Sequence, residues 1–199
     1  MQTRKRKRDE KGFTIVEMLV AIFVFTIVML VSSGAIFSIL DANRKTRTIQ
    51  LAIDNVDFAL ESMARTLRTG MSYHCDYSVT TPARDVPLDC IVIGANSIVF
   101  EEANGTITDP NDNYVYRLNT VTNQIERQKN TSTGFVSITA PDIPITHLSF
   151  FVWNTNSADG RQPVVIIRLE GLVGPAADPR KMTRFNLETL VTQRLPDIP

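Results

Sequence analysis

The sequence predicts an α+β protein in which a long N-terminal helix packs on an antiparallel β-sheet. The first observation is an uncharged, apolar stretch over residues 18–40. The second is an apolar stripe with helical spacing that follows it, and the third is a series of short β-type runs separated by turn sequences after residue 96. A helix that lays one apolar face on a sheet buries both surfaces, which is the two-layer arrangement of such domains.

The first element is a membrane-length segment behind a basic N-terminus. Residues 18–40 comprise 23 residues without a charge, and as a helix they would span about 34 Å at about 1.5 Å per residue. That length crosses a bilayer core of about 30 Å. The first eleven residues contain six basic side chains, namely Arg4, Lys5, Arg6, Lys7, Arg8 and Lys11. Because basic flanks stay in the cytoplasm, we predict a single-pass inner-membrane protein with a cytoplasmic N-terminus and an exported remainder.

The apolar segment differs from that of a cleaved secretory signal. It is longer than the roughly 7 to 15 apolar residues of such signals, and no small-residue cleavage pattern follows it. From the residues alone, the simplest interpretation is an uncleaved anchor. The carboxylate at its start, Glu17, is costly in hydrocarbon and indicates either a functional role or a side chain that reaches back to the headgroups.

The junction of the two regions carries a specific motif. It reads Lys11-Gly12-Phe13-Thr14-Ile15-Val16-Glu17-Met18-Leu19-Val20. This sequence resembles the class III leader junction of type IV prepilins and type II secretion pseudopilins. The resemblance implies that a prepilin peptidase cleaves between Gly12 and Phe13 on the cytoplasmic side, that the new Phe13 amine is methylated, and that the apolar helix is retained.

Each position of the junction has a chemical reason. Gly12 has no β-carbon to obstruct a narrow peptidase cleft. Cleavage would leave a cationic amine on Phe13, and Glu17 lies four residues further, which is the same face of a helix. In the family, this glutamate is thought to meet the N-terminal amine of a neighbouring subunit, so the resemblance implies an assembly role for Glu17.

Gly34 is the second notable position of this helix. With Ser32 and Ser33 it forms the Gly/Ser combination at which helices often kink. It is the 22nd residue after the proposed cut, where many type IV pilins have proline. A small residue that packs closely against a neighbouring helix is the alternative interpretation.

The helix is predicted to continue beyond the membrane segment. Apolar residues recur at alternating intervals of four and three, namely Ile49, Ile53, Val56, Leu60, Met63 and Leu67. The helix should end at Gly70, a suitable C′ residue, after Arg65 and Arg68 in its last turn. Residues 58–68 also resemble the helix end of J-type minor pseudopilins and W-type minor pilins.

Seven strands are predicted after the helix. They cover residues 97–102, 114–118, 124–128, 135–139, 146–153, 163–170 and 183–193. Turn sequences separate them at residues 104–105, 109–113, 119–123 and 157–160. Such short strands with tight links indicate an antiparallel sheet, and this is also the shape of the pilin family.

Cys75 and Cys90 are the only cysteines of the chain. Because they lie in the part predicted to be exported, a disulfide is the natural interpretation. It would contribute about 3 kcal/mol in the chain-entropy model. Two free thiols, in a host without an oxidising compartment, are the alternative.

The composition and the motifs disfavour other functions. The residues after Leu40 carry a formal charge of −3, so we expect no nucleic acid partner by default. His74 and His147 lie in no catalytic or metal-binding context, and no phosphate loop or hydrolase elbow is present. Residues 109–113 fail the EF-hand pattern and favour an Asx-rich turn over a calcium site. We therefore expect no enzymatic activity, no cofactor and no metal.

We divide the chain into a leader (1–12), a membrane or filament-core helix (13–40), an amphipathic continuation (41–70) and an exported β-rich domain (71–199). The resemblance implies a minor pilin or pseudopilin whose partners are the prepilin peptidase, other pilin or pseudopilin subunits, the inner-membrane assembly platform and the lipid bilayer. One alternative is an uncleaved, membrane-anchored binding or sensor protein. The other is a tip adhesin or DNA-uptake pilin of the same machinery.

Overall fold

The computed structural model describes residues 12–76, 86–103, 105, 109, 112–129, 133–156, 160–174 and 182–194. The chain divides into two compact units, Met1–Thr46 and Arg47–Pro199. The basic residues of the predicted leader, residues 1–11, lie outside the described residues. So do parts of three predicted turns, namely residues 104, 110–111 and 157–159.

One helix and eight strands form the described structure. They are α1 (Ile15–Thr69), β1 (Met71–Cys75), β2 (Ser97–Glu101), β3 (Asn113–Asn119), β4 (Gln124–Lys129), β5 (Val136–Ser137), β6 (Ile145–Trp153), β7 (Val164–Val173) and β8 (Thr183–Thr192). The strands form a five-stranded sheet of order β1-β2-β3-β4-β5 and a three-stranded sheet of order β6-β7-β8. All pairings between them are antiparallel. The predicted α+β class is therefore confirmed, with the strands shared between two sheets.

The predicted strands agree with the structure, with one addition. All seven correspond to β2 through β8, and the sequence analysis missed β1. This strand is short, and its residues, Met-Ser-Tyr-His-Cys, show no strong β pattern. Its pairing with β2 holds it in place. The predicted turn after β3 is an Asx turn, because the Asn119 side chain accepts hydrogen bonds from Val121 N–H and Thr122 N–H.

The second half of α1 supplies the helical side of the core. Val56, Met63 and Leu67 of the predicted stripe are completely buried, and Leu60 is buried as well. They form one cluster with inward-facing residues of both sheets. Ile49 and Ile53, at the start of the stripe, are only half-buried. Three buried alanines widen the apolar face, namely Ala52, Ala59 and Ala64.

Groups from both sheets donate hydrogen bonds to the backbone carbonyls at the end of α1. The Tyr73 hydroxyl of β1 donates to the carbonyl of Gly70 at 2.9 Å. The Gln193 amide, which follows β8, donates to the same carbonyl at 3.0 Å. Arg194 N–H donates to the carbonyl of Arg68 at 2.8 Å. Carbonyls at a helix C-terminus lack partners within the helix, so these bonds tie the helix end to the sheets.

Gly70 follows the helix as predicted, but for a different reason. It is not among the residues with a positive φ angle, so it does not act as a left-handed C-cap. A β-carbon at this position would overlap the ring of Phe100 and lie 3.2 Å from the Glu101 carbonyl oxygen. Glycine is needed here because the backbone passes directly against β2.

Residues 86–96 join the free edges of the two sheets. Leu88 N–H donates to the carbonyl of Tyr73 in β1 at 3.0 Å, and Cys90 N–H donates to the carbonyl of Val152 in β6 at 3.1 Å. Ala95 and Phe150 exchange both backbone hydrogen bonds, at 2.9 and 2.7 Å. The disulfide favoured by the sequence is present between Cys75 and Cys90, with Cα atoms 6.0 Å apart. It fixes this segment to the end of β1.

The first prediction concerns this disulfide. Replacing both cysteines with serine is expected to lower the free energy of unfolding by about 3 kcal/mol, because the bond closes a loop of 15 residues in sequence. The measurement is urea unfolding of the full chain in one detergent. The parent protein under reducing conditions is the control and should match the variant. An unchanged free energy of unfolding would show that the bond does not constrain the fold.

The second prediction concerns Tyr116, whose hydroxyl lies 2.9 Å from the Thr66 hydroxyl of α1. Burial raises the pKa of Tyr116, although the hydrogen bond to Thr66 acts in the opposite direction. The stability linked to this group is therefore present below the unfolded tyrosine pKa of about 10 and is lost as the pH rises through the higher folded pKa.

Tyr116→Phe should accordingly lose less stability than the parent between neutral pH and about pH 11. At neutral pH the variant should be less stable by about 1 kcal/mol, because the hydrogen bond is gone. Thermal unfolding across the pH series measures both effects, with Tyr114→Phe as the matched variant. If the parent and Tyr116→Phe lose the same stability at alkaline pH, the loss does not come from titration of Tyr116.

Candidate processing and assembly site

The predicted cleavage junction lies immediately before the first turn of α1. Thr14 is the N-cap, because its carbonyl accepts from Met18 N–H at 3.2 Å and its hydroxyl accepts from Glu17 N–H at 3.2 Å. Gly12 and Phe13 precede the helix and carry no regular secondary structure. The Gly12–Phe13 peptide bond is thus outside the hydrogen-bonded helix, in a form that a peptidase cleft can bind.

The surroundings of the junction are open. Phe13 is 79% exposed, and a β-carbon at Gly12 would meet no atom within 4 Å. The fold of the chain therefore does not require glycine at residue 12. A requirement for glycine here would have to come from whatever binds the junction.

Glu17 occupies the third position of α1 and is exposed. Together with Thr14 it forms the Thr-x-x-Glu pattern of a capping box, a signal that the sequence analysis missed. A carboxylate in the first helical turn is also favoured by the helix dipole. No ion pair to Glu17 is formed within the described part of the chain.

The relation between Phe13 and Glu17 differs from the one expected. The sequence spacing predicts that both residues lie on one helix face, but the helix begins at Ile15 and Phe13 lies before the N-cap. An N-cap residue has non-helical backbone angles. Because the Thr14 hydroxyl caps the helix, the helix cannot begin before Thr14 and does not include Phe13. Pairing of the Glu17 carboxylate with a Phe13 amine remains a prediction.

The segment after Glu17 is apolar on every side. By length and composition, α1 is the one helix in the described part of the chain that can cross a membrane, and none of its most apolar window is buried. Two of its hydroxyls bond within the helix: those of Thr26 and Ser33 donate to the carbonyls of Ile22 and Met29, both at 2.8 Å. The exposed surface of the segment is therefore suited to lipid or to other apolar helices.

Gly34 lies within the uninterrupted helix. A β-carbon at this position would meet nothing within 4 Å. No contact inside the described chain requires glycine there, and both the kink and the packing interpretations stay predictions.

The remaining candidate residues do not converge on a site. His74 Nδ1 lies 2.7 Å from the carbonyl oxygen of Val86, and His147 is an exposed residue of β6. Asp112 N–H donates to the carbonyl of Asp109 at 3.4 Å, as in a turn. Within the described ranges, no group of three His, Cys, Asp or Glu side chains is arranged to hold a metal ion.

An exposed pair of aliphatic residues, not predicted from the sequence, lies in the segment that joins the sheets. Val92 and Ile93 are 89% and 88% exposed, although the disulfide and the backbone bonds of Cys90 and Ala95 fix both ends of this stretch.

Comparison with known proteins identifies the N-terminal signal. A family model described as "Prokaryotic N-terminal methylation motif" matches residues 7–33. No curated protein and no solved structure matches the chain. The match includes the predicted cut, Thr14, Glu17 and most of the apolar segment. The chain thus carries a prepilin-type cleavage and methylation signal.

Proposed function

We propose that this protein is a minor pilin or pseudopilin, a structural subunit that prepilin peptidase processes and that assembles through α1 into a type IV pilus or a type II secretion-like filament. The observation that carries the proposal is the Gly12–Phe13 bond, which stands before the N-cap of a helix whose first half exposes apolar side chains on all sides. The matched methylation motif spans this junction.

In this proposal, α1 has two successive roles. The basic leader holds the N-terminus in the cytoplasm, and the apolar segment keeps the subunit in the inner membrane. After cleavage and methylation of Phe13, the same segment leaves the bilayer and packs among the helices of other subunits. Both environments are apolar, so the exposed side chains need no rearrangement. The protein has no catalytic role of its own.

Glu17 guides assembly in this proposal. Its carboxylate has no ion-pair partner within the described residues, and a charge in a hydrocarbon environment is costly unless it is paired. Cleavage creates a cation at Phe13 in every subunit. Pairing the Glu17 carboxylate of an incoming subunit with such an amine removes two unpaired charges from an apolar environment at once.

The third prediction concerns processing. Gly12→Val should abolish cleavage when the chain is produced together with a prepilin peptidase, because the peptidase cleft, and not the fold, excludes the side chain. Gly34→Val is the matched control and should be cleaved normally, since neither position has a neighbour within 4 Å of an added β-carbon. Intact-mass spectrometry of the purified chains gives the N-terminus directly.

The parent chain should begin at an N-methylated Phe13. An intact Met1 in the parent would overturn the proposal in favour of an uncleaved, membrane-anchored binding or sensor protein.

The fourth prediction concerns Glu17. Glu17→Ala and Glu17→Gln should both be cleaved but should enter filaments at least tenfold less than the parent. Either variant would leave the Phe13 amine unpaired in an apolar environment. The cost of such a charge exceeds the roughly 1.4 kcal/mol that corresponds to a tenfold effect. Ser33→Ala is the control, since the Ser33 hydroxyl bonds only within its own helix at 2.8 Å. Sheared filaments are separated from membranes, and the subunit is quantified in each fraction.

Incorporation of Glu17→Gln at the parental level would show that the charge of Glu17 is not used in assembly. Its role would then be limited to the N-terminal turn of α1.

A further inference from the structure

Two of the four sheet edges are covered within the described part of the fold. Residues 86–96 cover the edge of β1 through Leu88 and the edge of β6 through Cys90 and Ala95. The far edge of the five-stranded sheet is β5, which has only two residues. β8 has ten residues and pairs with β7 on one side, and no strand of the described chain lies on its other side. Long uncovered edges are templates for pairing with another chain.

The register shows which groups point outward from β8. Gln193 N–H donates to the carbonyl of Pro163 at 3.1 Å, and these residues are opposite each other if the β7–β8 register is continued by one pair. Hydrogen-bonded and non-bonded pairs alternate along an antiparallel ladder. The odd-numbered residues of β8 therefore bond to β7. The N–H and C=O groups of Arg184, Asn186, Glu188 and Leu190 point to the open edge, and no described residue bonds to them.

The side chains along this edge have a definite chemistry. On the outer face, Glu188 already pairs with Arg168 of β7 at 2.8 Å, whereas Arg184 has no ion-pair partner in the described part of the chain. Leu190 is 58% exposed on the same face. On the inner face, Phe185 and Leu187 pack against the core but are only half-buried. A strand added at this edge would cover them.

We propose that the open edge of β8 binds an extended segment of another polypeptide by β-strand addition. The backbone groups specify a strand, because only an extended chain can satisfy a row of outward N–H and C=O groups. The side chains specify its pattern: apolar residues on the face that adjoins Phe185 and Leu187, and an acidic residue on the other face, opposite Arg184. This inference does not depend on the processing proposed for Gly12 and Phe13.

A second copy of this chain fits the edge less well. It would present its own β8, in which Glu188 is the one acidic residue. Glu188 already pairs with Arg168 at 2.8 Å, so a second β8 has no acidic side chain left for Arg184. The segment that binds this edge is therefore expected to come from a different polypeptide.

The fifth prediction tests the edge with a defined probe. The probe is a ten-residue peptide that alternates valine with threonine, with one glutamate in place of the threonine that would lie opposite Arg184. It is added to the isotopically labelled full chain in detergent micelles, and amide NMR shifts report binding. The shifts should be concentrated in β8 and its neighbour β7. The same peptide with N-methyl groups on the amides of one edge should not bind, because it lacks the donors of that edge.

A pair of variants isolates the backbone group. Asn186→Pro removes one outward N–H without removing a bond to β7, since proline is tolerated at the open side of an edge strand. It should abolish peptide binding, whereas Asn186→Ala, which keeps the N–H, should bind like the parent. Thermal unfolding checks that both variants are folded. If Asn186→Pro does not fold, the N-methylated peptide on the parent chain makes the same test.

The charge pattern is tested by reversal. Arg184→Glu should weaken binding of the glutamate peptide roughly fivefold, the change expected for a cross-strand charge pair, and should strengthen binding of the matching lysine peptide by a similar factor. Undiminished binding to Asn186→Pro, equal affinity of the parent for both peptides, or no shift at millimolar peptide would each overturn the proposal. A dimer in sedimentation that Asn186→Pro abolishes would overturn it in favour of a second copy.

Discussion

Burial of one stripe of α1 against both sheets is the interaction on which the unit Arg47–Pro199 depends. Val56, Met63 and Leu67 are completely buried and belong to a single cluster that includes residues of every strand except β5. Each such side chain contributes about 1.5–3 kcal/mol relative to exposure. The buried alanines beside them have small side chains, which allow the helix to lie close to the sheets.

The polar groups at the two ends of α1 are satisfied in different ways. At the N-terminus, Thr14 supplies the cap locally, and the hydroxyls of Thr26 and Ser33 bond to the backbone of the helix itself. The start of the helix is thus capped by a neighbouring residue, and Phe13 before it is exposed. At the C-terminus, Tyr73, Gln193 and Arg194 supply the partners. That end is therefore fixed by residues more than a hundred positions apart in sequence.

A single segment covers one edge of each sheet. One segment, residues 86–96, covers β1 and β6 together and is fixed by the Cys75–Cys90 disulfide. On the opposite side of the three-stranded sheet, no described residue covers the outward backbone groups of β8. In the filament subunit proposed above, this edge and Arg184 would provide a directional contact that apolar helix packing lacks.

The sequence by itself determined the features that are encoded over a few neighbouring residues. These are the membrane-length segment, the Gly12–Phe13 junction with Glu17, the end of α1 at Thr69 and seven of the eight strands. Only the tertiary structure decided the division into two sheets, the existence of β1, the reason for Gly70 and the open edge of β8. Each of these depends on contacts between distant residues, such as Ala95 with Phe150 or Gly70 with Phe100. Local periodicity carries no information about such pairings, because it records which face of an element is buried but not which element buries it.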